Sequence, residues 1–485
     1  MGSGQVTSSV SPDFQGMHVT VAGLGVSGVP AAKVLHARGA IVTVVNDGDD
    51  ARAREQAAEL EALGVTVRLG DTASVSGSAA GTLPEGTELI VTAPGWKPDK
   101  PLFQAARAAG VDIWGDVELA WRLRGPDAAP WLAVTGTNGK TTTVQMLASI
   151  LRAAGLRTAA VGNIGVSLLD AVLEDQAYDV LAVELSSYQL HWAPSLRAHS
   201  AAVLNVAPDH LDWHGSMEAY AKDKGRVYEG NRVACVYNVA DKLTEELVRG
   251  ADVEEGCRAV GFTLGTPGPS QLGVVDGILV DRAFVENRHK NAQELAEVSD
   301  VNPPAPHNIA NALAAAALAR AYGVPPTAVR DGLRAFTPDA HRIAHVADVD
   351  QVGYVDDSKA TNTHAAEASL ASYESIVWIA GGLAKGATFD ELVAKSAKRL
   401  RGVVLIGADR ALIREALARH APEVPVVDLD RTDTGAMLAA VREARRLAVA
   451  GDTVLLAPAC ASMDMFANYN KRGDAFAQAV RELGA

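Results

Sequence analysis

Short apolar runs alternate with longer amphipathic stretches along nearly the whole chain, and they fall into three blocks. In the first, His18–Ala22 reads as a strand, followed by a glycine-rich turn, a helix reaching Arg38, and a second strand at Ile41–Val45. Leu89–Thr92 is a further strand that delivers Ala93-Pro94-Gly95 to the carboxyl edge of its sheet. The second block opens with the apolar run Trp131–Val134 and continues with strands at Val180–Glu184 and Ser200–Val206. In the third, strands at Ile376–Ala380, Gly402–Ile406, Val424–Val427 and Thr453–Ala457 alternate with helical stretches. Alternation of this kind predicts α/β domains built on mostly parallel sheets. The expected divisions are a disordered Gly/Ser-rich extension over 1–16, then domains over 17–119, 120–337 and 338–485. The outer two domains are expected to be Rossmann-like and the central one of the P-loop α/β type. Residues 233–299 carry several Gly and Pro breaks and no readable motif.

Composition narrows the class. With 485 residues, 48% hydrophobic and 21% charged, the chain has ample material for several cores. A formal net charge of −14 argues against a broad nucleic-acid or anionic-membrane surface, while leaving room for a local phosphate pocket. Cys235, Cys257 and Cys460 show no metal-ligand spacing, which points to a reducing, cytoplasmic setting. The opening MGSGQVTSSVSPDFQG lacks a cationic start and an apolar core, so no secretory signal is expected. The Ala-rich run 310–321 is interrupted by Asn311 and Arg320 and is too short to span a bilayer.

The stretch WLAVTGTNGKTTT, residues 131–143, carries the strongest chemistry. An apolar strand runs into a turn where Gly136 and Gly139 free the backbone to wrap phosphate oxygens. Lys140 supplies a point charge, Thr141 a hydroxyl for Mg²⁺, and the helix that follows presents its positive end. Val134 stands where the common Walker pattern has its first glycine. In the first block Gly23-Leu24-Gly25-Val26-Ser27-Gly28 matches G-x-G-x-x-G, with Asn46-Asp47 at the distance of the usual acidic residue. A nicotinamide oxidoreductase is therefore one alternative, and a motor-type or regulatory P-loop ATPase is another. Glu184 ends an apolar strand at the ligand-bearing edge, where a buried carboxylate needs a cation or a proton. His210 reads singly as a turn residue and Lys224 as a solvated helix position.

Taken together, residues 131–143, 160–165 (AVGNIG), 183–190 (VELSSYQL), 204–212, 220–229, 307–318 (HNIANALAAAAL), 341–342, 356–362 (DDSKATN), 381–386 and 458–473 (PACASMDMFANYNKRG) resemble the Mur ligase family, in its order and spacing. The segments DDSKATN and PACASMDMF resemble its D-glutamate-adding branch; folylpolyglutamate-type ligases share the short phosphate loop. The resemblance implies an ATP-dependent amide ligase acting on UDP-N-acetylmuramoyl-L-alanine and D-glutamate in peptidoglycan precursor synthesis, through an acyl phosphate and a tetrahedral intermediate. It implies ATP contacts at Gly136, Thr137, Asn138, Gly139, Lys140, Thr141, Thr142, Asn308, Asn311, Arg342 and Asp357. Val26, Ser27, Asn46, Asp47, Pro94, Gly95, Asn163 and Ser186 fall at positions that meet the UDP-sugar substrate. Lys359, Thr361, Lys385, Ser462 and Tyr469 fall around D-glutamate. Thr141, Glu184, His210 and Lys224 fall at the positions for two Mg²⁺ ions, Lys224 as a carbamate, and Lys140, His210, Lys224 and Lys359 at catalytic ones. Contacts split between the second and third blocks imply domain closure about a hinge at 337–339. The chain departs from the family pattern at Ala384, where an Asp is frequent, at Pro306, and at Tyr469, where some members have Phe. The expected partners are small molecules only, with the protein acting as a monomer.

Overall fold

A computed structural model describes residues 12–70, 83–125, 127–174, 176–431, 433 and 435–483. Of the extension expected to be disordered, residues 1–11 lie outside the described residues. Phe14 is already buried and packs edge-on against Trp114, 6.5 Å between ring centres, so the ordered chain starts ahead of Met17.

Each of the three blocks builds a sheet on its expected strands, and each sheet gains strands that were not expected, among them Thr66–Leu69, Asp112–Gly115, Ala160–Gly162 and Val352–Asp356. The first is parallel throughout, in the order Thr66–Leu69, Ile41–Asn46, His18–Ala22, Leu89–Thr92, Asp112–Gly115. Its order reverses beside His18–Ala22, so the carboxyl end of that strand opens into the crevice where such sheets take ligands. The second sheet runs Gln293–Glu297, Ile278–Asp281, Gln271–Val275, Arg258–Phe262, Ala234–Asn238, Ser200–Val203, Trp131–Thr135, Leu181–Glu184, Ala160–Gly162. The third runs Ala344–Val349, Val352–Asp356, Thr453–Leu456, Ile376–Gly381, Leu400–Ile406, Val426–Asp428, parallel except for its first strand.

The region without a readable motif supplies five strands to the second sheet. Its antiparallel hairpin turns at Asp276 (φ 48°) and Gly277 (φ 78°). Asp-Gly between β-branched residues is a strong hairpin signal, one that the sequence expectations did not include.

The chain makes two compact units, one holding the first two sheets, the other Val301–Ile309 and Phe336 onward. The first two blocks share one core, which runs from Val19 and Trp114 through Val117 to Trp131 and Leu185. The helix Asp116–Leu123 crosses the expected boundary at 119 and lies within this shared core. Its buried Glu118 accepts hydrogen bonds from Ser195 N (3.0 Å) and Arg122 Nε (2.5 Å), and Gly115 N donates to Trp192 O at 2.8 Å. Among the described residues no helix is long and apolar enough to cross a membrane.

Close packing of the first turn rests on Gly28. A Cβ there would lie 1.8 Å from the Gly23 carbonyl oxygen, a collision only backbone movement can relieve. Gly28→Ala is expected to destabilise the first unit by about 1–3 kcal/mol. Thermal unfolding beside wild type checks this, and an unchanged midpoint would show that the turn relaxes freely.

Candidate active site

The strand Trp131–Thr135 is buried along its length and ends at Gly136 (φ 156°). Gly139 (φ 85°) then turns the chain into the helix Lys140–Ala153, and a Cβ on it would sit 2.4 Å from Asn311 Oδ1. Asn311 thus packs directly on the loop. The strand Ser200–Val203 stops three residues short of the expected Val206, and the released backbone clamps the loop instead. Thr137 N donates to Asn205 O (2.9 Å), Asn138 N to Asn205 Oδ1 (2.8 Å), and Ala207 N to Thr137 Oγ1 (3.0 Å). Tyr220 OH meets the same Thr137 oxygen at 3.0 Å. Neighbouring backbone together with the Asn205 and Tyr220 side chains holds the loop in shape.

Two ammonium groups converge on this loop. Lys140 Nζ donates to Gly136 O (2.8 Å) and Thr137 O (3.0 Å). Lys224 Nζ donates to the same Gly136 O at 2.9 Å and lies 4.5 Å from the Tyr220 ring centre. Lys224 is only 2% exposed, so its reading as a solvated helix position is overturned. Burial, and then the charge of Lys140, hold its amine well below the usual lysine range. Thr141 and Thr142 are buried in the first turn of the helix.

Glu184 pairs in register with Val134, beside the mouth of the loop. It is 2% exposed; its Oε1 accepts from Asn163 Nδ2 at 3.0 Å, and its Oε2 is buried with no hydrogen-bond partner among the described residues. An orphaned carboxylate oxygen at the edge of a phosphate loop fits a hard divalent cation. Gly162 (φ 106°) is required here, because a Cβ would lie 2.2 Å from Glu184 O. His210 adopts a left-handed backbone (φ 53°) and stands at the start of the helix Leu211–His214. Its ring lies 4.9 Å from that of Tyr188 and within electrostatic reach of Lys140 and Lys224. Among the described residues no three His, Cys, Asp or Glu side chains form a ready metal cluster. Ser186 caps the helix Ser187–His191, its hydroxyl accepting from Gln189 N at 3.2 Å.

At the first sheet, Asn46 Oδ1 accepts from Leu24 N (3.0 Å) inside the glycine-rich turn, and Ser27 Oγ donates to Asp116 Oδ2 (2.9 Å). Val26 stands at the lip, 84% exposed. Asp47 is engaged by Lys100 at 2.5 Å, and Lys100 lies 4.8 Å over Trp96. Gly95, next to Pro94, accepts from Trp213 Nε1 at 3.2 Å, and Lys97 Nζ donates to Asp212 O at 2.7 Å. These last two bonds join the first sheet's ligand edge to the turn that carries His210. Asp116, Lys97, Lys100 and Trp213 were missed in the sequence because each reads there as an ordinary polar or core position.

In the third sheet's unit, Asp357 follows the strand Val352–Asp356 and is buried, hydrogen-bonded to Ser369 Oγ. Burial pushes its carboxyl up to about 6, with Ser369 and Arg342 offsetting part of that rise. Asn308 Nδ2 donates to Pro303 O at 3.2 Å. Lys359 Nζ lies 4.2 Å over the Tyr469 ring, and Thr361 N donates to Lys359 O at 2.8 Å. Leu383 and Ala461 exchange two backbone bonds of 2.9 Å, which brings the segment of Lys385 (φ 50°) beside that of buried Ser462. The fixed point is Arg472, 1% exposed, which donates to Ser358 Oγ (3.0 Å), Ser358 O (2.8 Å) and Cys460 O (3.0 Å). It joins DDSKATN to PACASMDMF, a role that its place in a charged helix conceals.

Three family descriptions match the chain in order: Mur ligase MurD-like N-terminal domain over 17–115, Mur ligase middle domain over 134–319, and Mur ligase glutamate ligase domain over 341–460. The "UDP-N-acetylmuramoylalanine--D-glutamate ligase" of Streptomyces avermitilis is 86% identical over 473 residues, covering 98% of this chain and all of that one. The protein of the same name from Thermobifida fusca is 58% identical, covering 97% of this chain and 99% of its own. The crystal structure of the MurF ligase from Thermotoga maritima in complex with ADP shares the fold, with a TM-score of 0.56, 14% identity, and coverage of 98% and 97%. On end-to-end identity at this level, with all three domains matched in sequence, the chain belongs to the Mur ligase family.

Proposed function

We propose that the protein joins D-glutamate to UDP-N-acetylmuramoyl-L-alanine at the expense of ATP, in the cytoplasm and as a monomer. The observation that carries this is the buried Lys224 amine meeting the Gly136 carbonyl beside Lys140. The Lys140 ammonium on the phosphate loop, beside a buried Lys224 amine whose charge is disfavoured, suits a site that must gather a triphosphate and accept an oxygen-donor anion at Lys224. The name borne by relatives up to 86% identical supports the substrate pair. A nicotinamide enzyme would leave this arrangement unused, and the Rossmann-type acid Asp47 is already engaged by Lys100.

The roles follow from the chemistry of each group. Backbone from Gly136 to Gly139, with Lys140 and Thr142, cradles the phosphates, while Asn308, Asn311, Arg342 and Asp357 meet the nucleoside. Thr141, Glu184, His210 and a carbamate on Lys224 would hold Mg²⁺. Two ions are expected, and the chemistry they would supply when bound is neutralisation of charge on the phosphate and the reacting carboxylate. Lys224 has the lowered amine that CO₂ addition requires: nitrogen bonds carbon, a proton leaves, and a cation becomes an oxygen-donor anion. The alanine carboxylate attacks the γ-phosphorus and ADP departs. The D-glutamate amine then adds to the acyl carbon, and phosphate leaves as the amide forms. Lys359, Lys385, Thr361, Ser462 and Tyr469 receive D-glutamate, whose two carboxylates suit two lysines. Val26, Ser27, Asn46, Asp47, Pro94 and Gly95 receive the uridine diphosphate, with Asn163 and Ser186 toward the sugar-peptide end.

Phosphate release should require the nucleotide-sugar and D-glutamate together. L-glutamate, D-alanine or a diamino acid should react about 10⁴-fold less well, because they leave polar groups in the pocket unpaired. Efficient use of a diamino acid would assign a different member of the family.

Lys140→Ala should lower kcat by about 10²–10³-fold. Lys224→Ala should nearly abolish turnover, and added short carboxylic acids should restore part of it by supplying the missing anion. Wild-type turnover in Lys224→Ala would remove the carbamate from the mechanism.

Asp357 gives a pH signature. Its carboxyl titrates near 6 when folded, above the ordinary value of 3.8. Below about pH 4 it is protonated in both states; between pH 4 and 6 the unfolded chain releases the proton while the folded one keeps it. Stability should therefore fall by up to about 3 kcal/mol across that window and stay level above it. Asp357→Asn is expected to remove this loss while weakening ATP binding, as denaturant melts across pH and nucleotide titration would show.

A further inference from the structure

We propose that Asp223 is a positioning residue for the metal side of the active site. Its carboxylate ties together the three segments that carry Glu184, His210 and Lys224. This rests on the metal assignment made above and goes beyond it to what holds those groups in place.

The three come from separate stretches of chain. Glu184 ends a strand and is followed closely by the helix Ser187–His191. His210 begins the helix Leu211–His214, and Lys224 lies in the helix Met217–Gly225. Asp223, next to Lys224, is 5% exposed. Its Oδ2 lies 2.9 Å from His191 Nδ1 and 3.0 Å from His214 Nδ1, and its Oδ1 accepts from Arg226 Nε at 3.0 Å. His214, whose side chain is wholly buried, reaches Ser187 Oγ through Nε2 at 3.0 Å. One carboxylate thus holds the last residue of two helices. Through His214 it also holds the first residue of the helix after Glu184, so both ends of that helix are pinned.

Charged acceptors make the stronger hydrogen bonds, and buried ones are not exchanged for water. A metal site needs its donors held within about 0.5 Å, and the partners that hold them govern affinity nearly as much as the donors do. Aromatic packing closes the assembly: Tyr188 lies 4.8 Å from Trp213, and His191 lies 5.1 Å from Trp213. In the sequence, Asp223 stands between two lysines and shows none of this.

The test is Mn²⁺ affinity measured directly by electron paramagnetic resonance, on the full chain with a non-hydrolysable ATP analogue. UDP affinity by calorimetry serves as the control. Asp223→Ala should weaken Mn²⁺ about 10-fold or more, with UDP affinity within about twofold of wild type. Asp223→Asn keeps an oxygen that both rings can donate to, and should recover Mn²⁺ affinity to within about threefold of wild type. Should Asp223→Ala fail to fold, Ser187→Ala removes only the last link and should weaken Mn²⁺ about threefold at an unchanged melting temperature. Wild-type Mn²⁺ affinity in the folded variant, or equal weakening of Mn²⁺ and UDP, overturns the proposal and leaves the ligase reading standing. Weakened Mn²⁺ in Asp223→Ala, with a wild-type protein that releases no phosphate with the substrate pair, would instead refute the ligase reading and keep the positioning role.

Discussion

The central sheet is organised around one awkward contact, two lysine ammonium groups on the carbonyl of Gly136. Like charges this close, one of them nearly stripped of water, repel and are poorly solvated. A protein keeps such a pair only where anions are to be received or where one amine is to lose its charge. The surroundings fit both needs. Gly136 and Gly139 free the backbone of the loop proposed for phosphate, and Glu184 stands alongside with one carboxylate oxygen that has no hydrogen-bond partner among the described residues.

Much of the first unit serves to hold that contact in shape. The segment after Ser200–Val203 leaves the sheet to brace the loop through Asn205 and Ala207. The Rossmann-like sheet shares a hydrophobic core with the central one, and its loop at Gly95–Lys97 bonds to Asp212 and Trp213. A rigid joint between the edge proposed for the nucleotide-sugar and the turn of His210 is a means of setting one reactant against the metal side. In the second unit Arg472 spends its guanidinium on backbone and a serine, which locks the two segments expected around D-glutamate. Burial lowers its basicity to about 10, and three acceptors make the buried cation tolerable.

What the sequence determined by itself was whatever depends on local order. Strand and helix alternation, the glycines of both turns, and the placing of Lys140 and Thr141 after the phosphate loop all follow from neighbours in the chain, because period and backbone freedom are local properties. The strands between 233 and 299 were not among the expectations, although the Asp276-Gly277 turn between β-branched residues carries a local hairpin signal. The burial of Lys224, a residue that only the resemblance singled out, and the bonding of Asp223 were not locally legible. A lysine in a charged helix looks solvated until the fold buries it at 2% exposure, and an aspartate between lysines looks paired on the surface until two distant histidines close on it. Only the tertiary structure decided that the first two sheets share a core, that Arg472 bridges two motifs, and that one Glu184 oxygen finds no partner among the described residues. Burial and long-range hydrogen bonding depend on what lies opposite in space, and no local pattern encodes that.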